Sequence, residues 1–319
     1  MIFACKICIF KLICHKNVEE ILISAEKKRR IGLTYGAFAS ASYGTNPLFA
    51  LPLYAAGIGV NSVLFYRYAI AVILYGIWLK LFKKISFKIS IKEGGILMIL
   101  GLFFSLSSYT LFDAFKYIEA GIACTILFIY PVLVAIIMAV FFKEKITKTV
   151  VGSISLITVG ITLLYHGKEG ATLNLHGVLI VLLSALLYSL YIVGVKNIKP
   201  IRHMNSAKMT FYVMLFGLIV YITNLNFCTE LQILTSPILW LYTIGLALFP
   251  TIISIETINV AIKLVGSTTT AILGSLEPLT ALFFGVVIFH EQLTPKIMIG
   301  ILTVIAGVIL IIIRKRETR

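Results

Sequence analysis

Charge is scarce in this chain. Only 13 % of its 319 residues are Asp, Glu, Lys or Arg, against about 25 % in soluble domains, and the mean hydropathy is +1.03. Long polar stretches are missing too: past the first thirty residues, no gap between apolar runs exceeds roughly a dozen residues. No soluble domain fits, and neither does the nucleotide-binding domain of an ATP-driven pump. There is no phosphate-cradling Gly-Lys-Ser/Thr loop and no helix with paired metalloprotease histidines. His166, His176, His203 and His290 all fall near the ends of apolar runs, where they cannot assemble a buried site. The chain is therefore expected not to be an enzyme, and no cofactor or metal is expected.

The five cysteines give no disulfide framework. Cys124 falls inside an apolar run and Cys228 stands alone. Cys5, Cys8 and Cys14, with His15 beside the last, have a faint metal-ligand spacing but lack a second ligand pair. "MIFACKICIFKLICHK" reads better as an apolar or amphipathic tail lying on a membrane, because Lys6 and Lys11 interrupt it too often for a signal-peptide core or a span.

What is present is apolar sequence in lengths that match a bilayer. Runs of roughly 20 residues lie at 32–52, 60–79, 94–113, 120–142, 149–166, 175–196, 207–224, 237–257, 266–289 and 297–313. They lack the strict alternation of a β-barrel strand, which leaves an all-α polytopic bundle of ten transmembrane helices as the expected fold.

The net charge of +15 is explained by topology. With a cytoplasmic N-terminus, the clusters around Lys27–Arg30, Lys80–Lys92, Lys143–Lys148, Lys196–Lys208, Lys263 and Arg314–Arg319 all fall inside, and only Lys116, Lys168 and Lys296 fall outside. This is the positive-inside asymmetry, and it puts both termini in the cytoplasm. It leaves no basic patch for nucleic acid; the partners expected are a lipid bilayer and a small-molecule substrate.

The chain reads as two copies of one unit. Ser107 and Ser254, Thr110 and Thr257, Ala114 and Ala261, Lys116 and Lys263, Pro131 and Pro278, Glu144 and Glu291, and Gly160 and Gly307 are each 147 positions apart. Gly32 and Gly177, like Tyr43 and Tyr188, are 145 apart. Five spans per unit is an odd number, so the second copy enters from the opposite side. The expected organisation is a tail (1–30), a five-helix repeat (31–166), an inverted repeat (174–313) and a basic tail (314–319). Inverted repeats supply the two similar states that alternating access needs.

Within "GSLEPLTALFFGVVIF" (274–289), Glu277 and Pro278 sit mid-span. Each mid-span proline removes a backbone donor and presses on the carbonyl four residues earlier, here of Leu127 or Gly274. Two breaks at matching depth imply a cavity between the fourth and ninth spans. Asn46-Pro47 breaks the first span as well. An acid at a helix centre costs about 2.5–3.5 kcal/mol on insertion scales, so Glu277, whose repeat mate is Tyr130, is expected to face the bundle and be protonated, hydrogen-bonded or paired. Its carboxyl either bonds loosened backbone or a neighbouring hydroxyl, or serves a substrate amine or a transported proton. Tyr43 and Tyr188, on equivalent helices, are core packing or cavity lining. Arg67 is read as a structural charge near the outer interface, with Asp113 as a possible partner. Glu256 is expected to meet interface water or Lys263. Gly152, Gly160, Gly300 and Gly307 read as close helix packing.

"LGSLEPLTALFFGVVIFHEQLTPKIMIGILTVIAGVIL" (273–310), its weaker mate at 127–164, "SYGTNPLFA" (42–50) and "FYRYAIAVIL" resemble the ten-span, EamA-type branch of the drug/metabolite transporter superfamily over about residues 31–313. The resemblance implies a secondary carrier of small organic solutes with its cavity between the repeats. It also implies that Asn46, Arg67, Pro131, Glu144, Glu277, Pro278 and Glu291 occupy recurring positions. The cysteine-bearing tail and the Tyr in place of an acid before Pro131 depart from the pattern. The expected function is transport of a small, amino-acid-like metabolite across the inner membrane, with export favoured over uptake and protons as a candidate coupling ion. Phosphorylated anions are disfavoured because Arg67 is the lone cation well inside a span. A passive channel is the alternative, and it would want a continuous polar lining.

Overall fold

A chain this apolar must satisfy its backbone within each crossing segment, and helix is the regular structure throughout the described residues, with no strand among them. The computed structural model describes residues 26–118, 120–145, 147–164, 174–289 and 295–314. Cys5, Cys8, Cys14, His15, His166, Lys168, His290 and Glu291 lie outside the described residues. The helices in order are α1 (26–43), α2 (Asn46–Ala55), α3 (Val60–Leu81), α4 (Ile91–Ala114), α5 (Ala120–Leu127), α6 (Tyr130–Phe142) and α7 (Lys148–Leu164). They continue with α8 (Leu175–Asn197), the short α9 (Lys199–Arg202), α10 (Ser206–Asn224), α11 (Pro237–Ala247), α12 (Ser254–Val265), α13 (Ser267–Leu273), α14 (Leu276–Phe289) and α15 (Pro295–Arg314). Leu248–Ile253, between α11 and α12, is a π-helix.

Among the described residues, five helical segments are long and apolar enough to cross a membrane: α3, α4, α8, α10 and Pro237–Val265. Sequence-encoded caps fix several starts. Ser90 and Glu93 form a reciprocal capping box on α4, with Ser90 N–H donating to Glu93 Oε2 at 2.7 Å. Asn174 Oδ1 accepts from His176 N–H at 2.9 Å to start α8. Gly266, at φ +89°, ends α12 and turns the chain directly into α13, a conformation that glycine adopts without steric cost.

The other expected spans are shorter or interrupted. α1 stops at Gly44-Thr45 before α2, α5 stops two residues before α6, and α13 gives way to α14 at Gly274-Ser275. Pro47 and Pro131 occupy the first turn after their breaks, where a missing N–H costs nothing, and Pro278 follows two residues into α14. The expected kinks are therefore short interruptions of two residues, with Thr45, Ile129 and Gly274 still in the right-handed helical region. The Gly274 carbonyl, four before Pro278, is not free: it accepts from Glu277 N–H at 2.9 Å.

The two-fold relation between the repeats appears as reciprocal contacts. Ser107 Oγ donates to the Ser184 carbonyl at 3.0 Å, and its mate Ser254 Oγ donates to the Ala39 carbonyl at 3.0 Å; residues 39 and 184 are themselves 145 apart. Gly32 lies against Leu264 and Val265, while its mate Gly177 lies against the equivalent Tyr117 and Ile118. Ser189 Oγ donates to the Tyr130 carbonyl at 3.2 Å, and Gly44, its counterpart, lies directly on the Glu277 carbonyl. Helix pairs α4 with α8, α3 with α10 and α7 with α15 close the bundle between copies. In the α7–α15 seam a Cβ on Gly307 would come within 2.7 Å of Ile157 Cγ1. Large apolar side chains such as Ile73, Ile77, Val140 and Phe141 remain exposed, as a lipid-facing surface requires.

Gly32 tests this close approach. A Cβ there would lie 2.6 Å from Val265 Cγ1 and 2.8 Å from Leu264 Cβ, so Gly32→Ala is expected to destabilise the bundle by about 1–3 kcal/mol through overpacking. Thermal unfolding of the detergent-purified protein is the check, and an unchanged midpoint would show that α1 and α12 are not held this closely.

Candidate functional site

The breaks bring three tyrosines from three helices together. Tyr43, the last residue of α1, stacks on Tyr188 of α8 with ring centroids 6.2 Å apart and planes at 9°. Tyr130, the first residue of α6, meets Tyr188 edge-on at 4.8 Å. Tyr191, one α8 turn beyond Tyr188, extends the wall and donates to Asn259 Oδ1 at 2.6 Å, while Asn259 Nδ2 donates to Thr210. Gly274 has no side chain because the Tyr130 hydroxyl occupies that space. The interruption of α13/α14 is thereby seated on the interruption of α5/α6.

Glu277 lies in this assembly. It is 6 % exposed and close enough to Tyr43, Tyr130, Tyr188 and Cys124 to act on each electrostatically. Neither backbone nor hydroxyl among the described residues hydrogen-bonds its carboxyl; nearby Thr280 Oγ1 donates instead to the Leu276 carbonyl at 2.9 Å. Of the sequence candidates, Glu277, Tyr43, Tyr130 and Tyr188 thus converge. Asn46, at the first position of α2, is 4 % exposed, and neither of its amide atoms has a partner among the described residues. No ring contact or hydrogen bond ties it to the tyrosines among the described residues.

Arg67 differs most from expectation. It is fully buried at 0 % exposure and does not snorkel. Nε donates to Thr251 Oγ1 at 2.6 Å and Nη2 to the Pro250 carbonyl at 3.1 Å. The guanidinium carbon lies 5.8, 5.7 and 5.5 Å from the ring centroids of Tyr43, Tyr68 and Phe112, within cation–π range. Asp113 is not its partner but pairs with Lys116 at 2.8 Å, a hydrogen bond that raises the Lys116 pKa.

The reason lies in the π-helix, which the sequence reading missed. In a regular α-helix Pro250 would leave the Leu246 carbonyl unserved and clash with it. The wider π turn lets Thr251 Oγ1 donate to that carbonyl at 2.7 Å. Ser42 Oγ donates to the Phe249 carbonyl at 2.6 Å, and Arg67 takes the Pro250 carbonyl. Side chains from two other spans and from the segment itself therefore satisfy backbone that lipid could not. The usable signal was Pro250 inside an apolar run.

Of the remaining charges, Glu144 and Lys263 lie near helix ends and Glu256 does not. Glu144 follows α6 and its Oε2 accepts from Thr268 Oγ1 at 3.2 Å. With Met138, Asn197 and Gly266 it lines an opening of about 420 Å³ where α6 ends and α13 begins. Glu256 is inside the longer span, near the Tyr75 hydroxyl, because that span runs on to Val265. Lys263 Nζ donates to the Met204 carbonyl.

Two comparisons match this architecture. A model of the EamA-like transporter family fits residues 30–166 and again 175–313. A crystal structure of another protein superposes with a TM-score of 0.74 over 91 % of this chain and 99 % of that one, at 16 % sequence identity, a likeness of fold. No curated protein sequence matches the chain.

Proposed function

The chain belongs to the EamA-like transporter family, and from that premise we propose that it is a secondary carrier moving a small, amino-acid-like metabolite across the inner membrane by alternating access. The observation that carries this reading is the Glu277 carboxyl: 6 % exposed, without a hydrogen bond from the described residues, and surrounded by tyrosines where two interrupted helices meet. An acid so placed has little contact with water and no hydrogen bond from the described residues in return. A cationic group, either a substrate ammonium or a proton, would supply the missing partner, and the rings would form the walls around an apolar side chain.

Rocking of one repeat against the other would expose the tyrosine cluster to each side in turn, and the reciprocal contacts support this because they give both copies the same joints. The basic clusters favour cytoplasmic termini, and export is favoured over uptake. Purified protein in liposomes preloaded with unlabelled amino acids is expected to show counterflow of labelled amino acid. Flux without counterflow would point to a passive channel, and exchange confined to phosphorylated anions would overturn the substrate class.

A further inference from the structure

Two of the three Arg67 guanidinium nitrogens are committed to the π segment. The third, Nη1, is buried without any acceptor among the described residues, in a side chain at 0 % exposure. The nearby Tyr54 hydroxyl is likewise buried and has no partner among the described residues. Tyr54 packs edge-on against Phe112 at 6.3 Å, the ring that also lies 5.5 Å from the Arg67 guanidinium carbon, and Tyr54 and Arg67 are within electrostatic reach of each other. Asp113, the acid that also reaches Tyr54, is held by Lys116 at 2.8 Å. A cation and a hydroxyl, both with donors to spare and beside one aromatic ring, match a carboxylate: one oxygen for each donor.

A purely structural arginine would account for Nε and Nη2 but not for the orphaned donor, since unsatisfied buried donors are rare in native structures. Tyr43 links this point to the carboxylate of the site, for its ring lies 5.8 Å from the guanidinium carbon and it interacts electrostatically with Glu277. Arg67 and Glu277 are therefore charges of opposite sign that both lie near one tyrosine. We propose that Arg67 Nη1 and the Tyr54 hydroxyl receive the carboxylate of a zwitterionic substrate whose ammonium faces Glu277, an inference that rests on the transport reading above and narrows its substrate to molecules bearing both charges.

The test uses L-leucine, 3-methylbutylamine and 4-methylpentanoate, which share one side chain and differ in their charged poles. In proteoliposomes of the full chain, unlabelled leucine is expected to compete with labelled leucine at least tenfold better than either single-pole analogue. Arg67→Lys, which keeps the charge but not the fork of donors, and Tyr54→Phe are each expected to bring the leucine-to-amine ratio down towards unity, a change in selectivity that loss of a merely structural contact would not produce. Should Arg67→Lys fail to fold, the ratio in the parent protein and in Tyr54→Phe still decides. If leucine is carried but the parent treats it and the amine alike, or the ratio survives both substitutions, the carboxylate site is wrong while the carrier reading stands. If no member of a panel of the standard amino acids, leucine included, is carried, both fall together.

Discussion

Glu277→Gln is expected to abolish coupling to a pH gradient while leaving the bundle assembled. The two side chains have nearly the same shape, so the packing of Tyr130 against Gly274 and of Gly44 against the Glu277 carbonyl has no steric reason to change. What disappears is the capacity to take up and release a proton. One proton coupled to one substrate across one pH unit supports an accumulation of about tenfold, since each ~1.4 kcal/mol is a factor of ten. The parent should approach that ratio and the Gln variant should equilibrate near one, with counterflow of labelled substrate weakened by loss of the ammonium's charged partner but still measurable. Accumulation ratios in proteoliposomes at zero and one unit of pH difference are the measurement. A variant that still accumulates substrate tenfold would exclude Glu277 as the proton carrier; one that no longer elutes as a single species in detergent would make the carboxyl a structural group.

Much of this arrangement was legible because the sequence repeats itself. Pro131 and Pro278 mark equivalent interruptions, and the repeat spacing pairs Tyr43 with Tyr188 and Tyr130 with Glu277, four residues that the structure places close together. Reciprocal joints such as Ser107 on Ser184 and Ser254 on Ala39 follow from the same duplication. What one sequence cannot reveal is which neighbour receives a given side chain. Depth along α3 could be counted for Arg67, but its partner Thr251 lies 184 positions away on a span whose irregularity arises in one copy only: the mate of Pro250 is Phe103, within the unbroken α4. Ending that span at residue 257 also hid Asn259, which joins Tyr191 to Thr210. Apolar periodicity continues through Lys263 to Gly266, and the lysine was read as a boundary although its ammonium reaches the Met204 carbonyl.

Arg67→Leu should destabilise the folded bundle about as much as truncating a large buried side chain in its surroundings, such as Phe112. Leucine inserts more readily, by about 3 kcal/mol on insertion scales, yet in the folded protein it leaves the Pro250 carbonyl without a donor and strips Thr251 of its charged partner, at about 1–3 kcal/mol each, and forfeits contacts with Tyr43, Tyr68 and Phe112. The insertion gain stabilises separated helices as well as packed ones, so it offsets little of the folding loss, and a net cost on the order of 3–5 kcal/mol results. The cause is separable because Pro250 creates the demand that Arg67 meets. Pro250→Leu restores an N–H able to serve the Leu246 carbonyl and allows the π turn to close into α-helix, so the same Arg67→Leu change made in that background should cost at least ~1 kcal/mol less. Thermal unfolding of the parent, both single variants and the double variant closes the cycle. Additive costs would mean that the guanidinium stabilises the bundle through its aromatic contacts alone and that the π segment holds its shape without it.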